Sequence, residues 1–136
     1  MINIETTRSV EVIDITSKVG ELVKESKIKY GICLVFTTHT TTGVIINEAE
    51  RGLLQDLIRR MASLAPPGGG YLHDEIDDNA HAHLQAILLG NSAVIPVKDA
   101  SLVLGTWQKV LFVELDGPRQ RRVEIRLISG LDEGRS

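Results

Sequence analysis

An α+β subunit with a largely antiparallel sheet or sandwich and two to three helices is the fold class this sequence predicts. Three observations lead there. Strand-like segments outnumber helical ones, and most follow one another through turns. The 136 residues, 43% hydrophobic and 24% charged, have the balance of one globular domain long enough to bury its own core. No repeat divides the chain, so residues 1–136 read as a single domain.

The first strands come from alternation: Ile2 and Ile4, then Val10, Val12 and Ile13, with Arg8-Ser9 as a bend or bulge between them. Thr16 is the expected N-cap of a helix whose stripe is Val19, Leu22 and Val23, ending near Ile28. Tyr30-Gly31 restarts the chain, and Ile32 to Thr37 reads as a buried strand. A threonine cluster, Thr37 to Thr42, is interrupted by His39 and followed by Gly43. Val44 to Ile46 is the next strand, antiparallel to its predecessor if Thr40 to Gly43 form the turn.

Glu48 to Leu64 is the clearest helix, with Leu54, Leu57, Ile58, Met61 and Leu64 on one stripe. Asn47 is placed to cap it and Glu48 to complement its dipole. Pro66-Pro67-Gly68-Gly69-Gly70 ends it and opens a long flexible loop within the same domain. Asn79 then caps a helix from Ala80 to Leu89, closed by Gly90. Strands follow at Ala93 to Val97, Ser101 to Leu104, Lys109 to Leu115 and Arg122 to Ser129. Asp116-Gly117-Pro118-Arg119 reads as a hairpin turn between the last two. The tail, Leu131 to Ser136, is polar and expected to fray.

The totals exclude several function classes. A formal charge of −3 and a pI near 5.8 give no electrostatic footprint for nucleic acid. The one cysteine, Cys33, lies in an apolar run and reads as a buried, inert thiol. No signal-peptide pattern and no membrane-length apolar run occur, so a cytoplasmic protein without a membrane partner is expected.

All four histidines, His39, His73, His81 and His83, fall between positions 39 and 83. Three of them stand beside Asp74, Glu75, Asp77 and Asp78, and imidazole with carboxylate is the ligand set that zinc and similar ions select. On a helix, residues two apart are separated by roughly 200° around the axis, so His81 and His83 cannot easily share one ion, whereas an extended segment would point them the same way. Asn79 and His83, four apart, share a face and form the better pair. His39 leaves the end of a rigid strand, and His73 needs only the loop's reach to join His83. The threonine hydroxyls beside His39, with Gly43 admitting close backbone approach, suit phosphate. Arg119, Arg121 and Arg122 read as solvated charges. Trp107, the sole tryptophan, with Gln108 and Gly105, reads as a pocket wall or a large core residue.

Ser101-x-x-Leu104-Gly105-Thr106-Trp107-Gln108 is similar to the signature of the YjbQ, or UPF0047, family. Thr38-His39-Thr40-Thr41, Asn47-Glu48, the loop from His73 to Asn79, His83 and Asp116-Gly117-Pro118-Arg119 resemble its other motifs in the same order. The resemblance implies a homotrimer with a pocket near the subunit interface. It also implies a metal-ligand triad of His39, His73 and His83, with zinc or magnesium as the divalent ion. Thr40, Thr41, Glu48, Asn79, Trp107 and Gln108 match pocket positions, whereas His81 departs from a position where an acid or small residue is common. The activity implied is that of a thiamine phosphate synthase, which joins a pyrimidine methyl diphosphate to a thiazole phosphate. The alternatives are a metal-dependent hydrolase with Glu48 as general base, and a non-catalytic trimer that binds a phosphorylated metabolite.

Overall fold

The computed structural model describes residues 1–130, so the C-terminal tail expectation lies outside the described residues. Two antiparallel sheets form most of the structure. The larger contains, in spatial order, β1 (Ile2–Glu5), β8 (Gln120–Ser129), β3 (Gly31–Thr37), β5 (Ser92–Lys98) and β6 (Ser101–Leu102). The smaller contains β2 (Glu11–Asp14), β7 (Lys109–Glu114) and β4 (Thr42–Asn47). Alternating side chains from both sheets meet between them: Cys33 and Val35, Val123 and Ile125, and Ile95 oppose Val44, Val110 and Phe112. Helix α1 (Thr16–Ser26) adds Val19 and Val23 to the same core. At its centre, burial pushes the Cys33 thiol up to about 11, which keeps it protonated and inert.

The two sheets differ in what covers their outer faces. Val113 of the three-stranded sheet and Leu115 just after β7 are covered by Ala82 and Ala86 of α3 (Ala80–Leu89). Helix α2 (Arg51–Leu64) packs beside α3 and has no fully buried residue. Among the described residues no element covers the five-stranded sheet in this way: Val94 is 61% and Ile128 62% exposed on its outer face.

Several local expectations need correction. The turn expected at Thr40 to Gly43 does not make a hairpin, because β3 already pairs on both edges, with β5 and β8. The chain therefore crosses to the other sheet, where β4 pairs with β7. The Asp116–Arg119 turn is likewise a crossover, since β2 and β4 occupy both edges of β7. Gly117 has no room for a side chain there: a Cβ would lie 2.3 Å from the carbonyl oxygen of Arg8. Helix α2 begins at Arg51, not Glu48, and Glu50 supplies its cap by accepting from the N–H groups of Gly52 and Leu53. Thr16 is the first residue of α1 and donates from its N–H to Asp14 Oδ1 at 3.0 Å, while its hydroxyl accepts from the Val110 N–H at 2.8 Å. Among the described residues, no helix is long and apolar enough to cross a membrane.

Candidate functional site

His39 takes over a hydrogen bond that the sheet would otherwise leave open. The β3–β8 ladder stops at Thr37 opposite Val123, and the next β8 N–H, that of Arg122, donates to His39 Nε2 at 2.9 Å. The accepting nitrogen fixes the tautomer, so Nδ1 carries the ring proton. Burial holds the His39 pKa below its ordinary value, helped by the cations of Arg121 and Arg122 and partly opposed by Glu114. The neighbouring threonines divide by task. Thr37 and Thr42 bond to each other through their hydroxyls at 2.8 Å, and Thr41 accepts from Arg121 Nη2 at 2.8 Å. Thr38 and Thr40 remain exposed beside His39.

The loop after α2 and the start of α3 bring the second group of residues. Asn79 does not cap its helix through its side chain; Asp74 does, accepting from the Ala80 N–H at 3.1 Å. This frees the buried Asn79 amide to face His73 Nε2 at 3.2 Å and to donate to Asp116 Oδ2 at 2.9 Å. The His73 and His83 rings meet edge to face with centroids 4.9 Å apart. His81 points elsewhere, as the helical geometry requires. Its buried Nδ1 has no hydrogen-bond partner among the described residues, and the residue lines a separate cavity of about 80 Å³ between α2 and α3.

Beneath both groups lies a charge pair that sequence reasoning missed. Glu114 is fully buried and Arg121 is 6% exposed. Arg121 donates to Glu114 from Nε at 2.9 Å and from Nη2 at 2.5 Å, and Glu114 also accepts from the Thr6 hydroxyl at 2.7 Å and the Asp116 N–H at 3.1 Å. Burial alone would raise the Glu114 pKa, but the bonds from Arg121, Thr6 and the Asp116 N–H together carry it below the usual carboxylate value. Arg121 is thus a structural residue and not a solvated charge. One signal was available: Glu114 is the only charge in the run Val110 to Leu115.

These groups surround a cavity of about 400 Å³ that contains Thr40, His39, Asn79, His83 and Arg119. His39 and His83 also border a second, more apolar hollow of about 640 Å³ with Phe36 and Ile87. Three of the expected pocket residues lie elsewhere. Thr42 pairs with Glu114 at one end of the small sheet and Asn47 with Lys109 at the other, roughly 17 Å away at about 3.4 Å per residue. Glu48 follows Asn47, and Trp107 and Gln108 precede Lys109, so all three belong to the far end. Gln108 is committed to its own turn there, accepting from the Gly105 N–H at 2.8 Å. Trp107 is 71% exposed, neither a core residue nor a wall of the His39 cavity within one chain.

The expected metal triad does not assemble among the described residues. His39 Nε2 is already an acceptor for Arg122, His73 Nε2 faces Asn79, and no three His, Cys, Asp or Glu side chains among the described residues are grouped to hold an ion. The donor set is also wrong for magnesium, which takes oxygen ligands.

Residues 1–130 match the family model described as UPF0047 protein YjbQ-like. A UPF0047 protein of Archaeoglobus fulgidus is 51% identical over 127 residues, covering 93% of this chain and 98% of that one. Bacillus subtilis YugU is 36% identical over 93% of this chain and 96% of its own. A crystal structure from Sulfolobus solfataricus, described as a YbjQ-like protein of unknown function, superposes with a TM-score of 0.92 at 44% identity, covering 95% and 94% of the two chains. An uncharacterized Clostridium acetobutylicum relative gives 0.89 at 39% identity, covering 93% and 98%. The chain belongs to the YjbQ-like UPF0047 family over its whole described length.

Proposed function

We propose that this member of the YjbQ-like family is a group-transfer enzyme acting on phosphorylated small molecules, and that it joins a pyrimidine methyl diphosphate to a thiazole phosphate. The supporting observation is the cavity at His39. It combines a neutral, fixed imidazole with the exposed hydroxyls of Thr38 and Thr40 and the Arg119 guanidinium, which also pairs with Asp116 at 3.0 Å. Such a set suits phosphoryl oxygens: fixed donors stabilise charge that grows on a leaving group. In the reaction, the carbon–oxygen bond to diphosphate breaks and its electron pair leaves with the diphosphate. The thiazole nitrogen supplies the pair for the new carbon–nitrogen bond, and the positive charge comes to rest on the thiazole ring. No proton has to move.

Each residue's work is therefore electrostatic. His39 donates from Nδ1–H while Arg122 holds its other nitrogen. Arg119 and the two hydroxyls grip phosphoryl oxygens, and Asn79 orients His73. The hydrolase alternative loses support, because Glu48 lies at the far end of the sheet from His39 and the three imidazoles do not converge. Purified protein given both phosphorylated precursors and magnesium ions should form thiamine phosphate, and His39→Ala should reduce the rate at least tenfold. No product above that variant overturns the transferase reading. Saturable precursor binding without product would leave the non-catalytic reading in its place.

A further inference from the structure

Helix α2 carries an apolar stripe that the fold does not finish covering. Leu57, Ile58, Met61 and Ala62 border the cavity of about 80 Å³ between α2 and α3, and each of them stays half-buried. Val113 and Leu115 line the same space from the small sheet and the turn after it. Apolar surface beside an unfilled space forgoes the dispersion contacts that close packing supplies. The space therefore favours an occupant with an apolar body.

The wall also holds two polar side chains of α3, His81 and Gln85, four positions apart on one face of the helix. Gln85 is buried, and its amide N–H donates to Ala65 O at 3.0 Å, fastening the end of α2. His81 makes no such bond. Its Nδ1 is, among the described residues, the one buried side-chain nitrogen or oxygen without a hydrogen-bond partner. A buried polar atom left unpaired bears the full cost of losing its water. An imidazole nitrogen accepts in one neutral tautomer and donates in the other, and a hydroxyl can answer either. Among the described residues no Asp, Glu, Lys or Arg stands in the wall. A charged ligand would lose its water there without meeting a fixed opposite charge.

From the unpartnered nitrogen and its apolar surroundings we infer that the α2–α3 cavity is a second ligand site. It takes a small neutral molecule with an apolar body and a hydroxyl directed at His81 Nδ1. An apolar cavity of about 150 Å³ takes up benzene, so the space here suits a body of about three or four heavy atoms. None of its lining residues borders the two hollows at His39, so the site is separate from the one proposed for group transfer. Helix α3 stands between them, with His81 in the wall of this cavity and His83 in the wall of both hollows. The occupant ties α2, which has no fully buried residue, to the helix that carries His83.

Isopropanol and isopropyl chloride are probes of like size that differ in the hydroxyl. Each should shift the Met61 methyl resonance saturably, and Met1 is the only other methionine. Isopropanol should also move the nitrogen NMR signal of His81 Nδ1, whereas isopropyl chloride should not. In His81→Leu the affinity for isopropanol relative to isopropyl chloride should fall about fivefold, the worth of one hydrogen bond. Taking the ratio cancels the unequal hydration of the two probes. Ala62→Leu, which fills the space from the α2 side, should abolish saturation by both. No saturable shift in wild type would mean that the cavity holds water only, and that overturns the inference. An Nδ1 signal indifferent to isopropanol, a ratio unchanged in His81→Leu, or binding that survives Ala62→Leu does the same. The wild-type signals decide the matter even where a variant fails to fold. No substrate enters these measurements, so loss of the transferase reading would leave them unchanged.

Discussion

His39 shows how one residue can serve a sheet and a site together. Its Nε2 replaces a strand carbonyl as the acceptor for the Arg122 N–H, and only the neutral ring can do so. Its folded-state pKa lies below the ordinary value of 6.5, so the unfolded chain binds the proton more readily. The stability conferred by neutral His39 is then complete above about pH 6.5 and is lost as pH falls through the lower folded value. His39→Gln keeps an acceptor but removes the titration. Urea midpoints measured near pH 7.5 and 5.5 should fall further in wild type than in His39→Gln. Equal falls would mean that this imidazole does not carry the acid sensitivity. Much of this neighbourhood was legible as residue types: His39, Thr40, Asn79 and His83 do meet. Their bonds were not legible, because Arg122 and Arg121, which hold His39 and Thr41, are distant in sequence.

At the scale of elements, the periodicities found nearly every strand and helix, yet misread how two pairs of strands connect. A turn rich in threonine or carrying Asp-Gly-Pro can close a hairpin or pass a chain between sheets. The choice is made by which strand edges are already occupied, and that is a property of the whole topology. The buried Glu114–Arg121 pair secures the second crossover, joining β7, the start of β8, Thr6 after β1 and Thr41 before β4. Glu114→Gln leaves the Arg121 charge buried without its counterion, which should cost about 3–5 kcal/mol in chemical denaturation. Replacing both residues with apolar side chains of similar volume should recover most of that loss. A single-variant cost below about 1 kcal/mol would show that water reaches Arg121 and that the pair is not the clasp described here.

At the scale of the molecule, the two sheets are treated unequally, and this asymmetry could not be read from strand patterns alone. Ile32, Leu34 and Phe36 make β3 read as a buried strand, and among the described residues no helix covers its outer face. An apolar outer face on an antiparallel strand stays in water unless a further surface meets it. If the cover is a second copy, folding and assembly are linked, and stability depends on protein concentration. Each tenfold rise in concentration should then add about 1 kcal/mol per chain, which for a domain of this size is about 3 °C in thermal midpoint. Calorimetric scans at about 1 and 100 μM should therefore differ by about 6 °C for wild type. They should coincide for Ile128→Asp, which puts a charge on that face and whose midpoint should lie near or below the dilute wild-type value. Coincident wild-type midpoints would show that no second copy covers the bare sheet face.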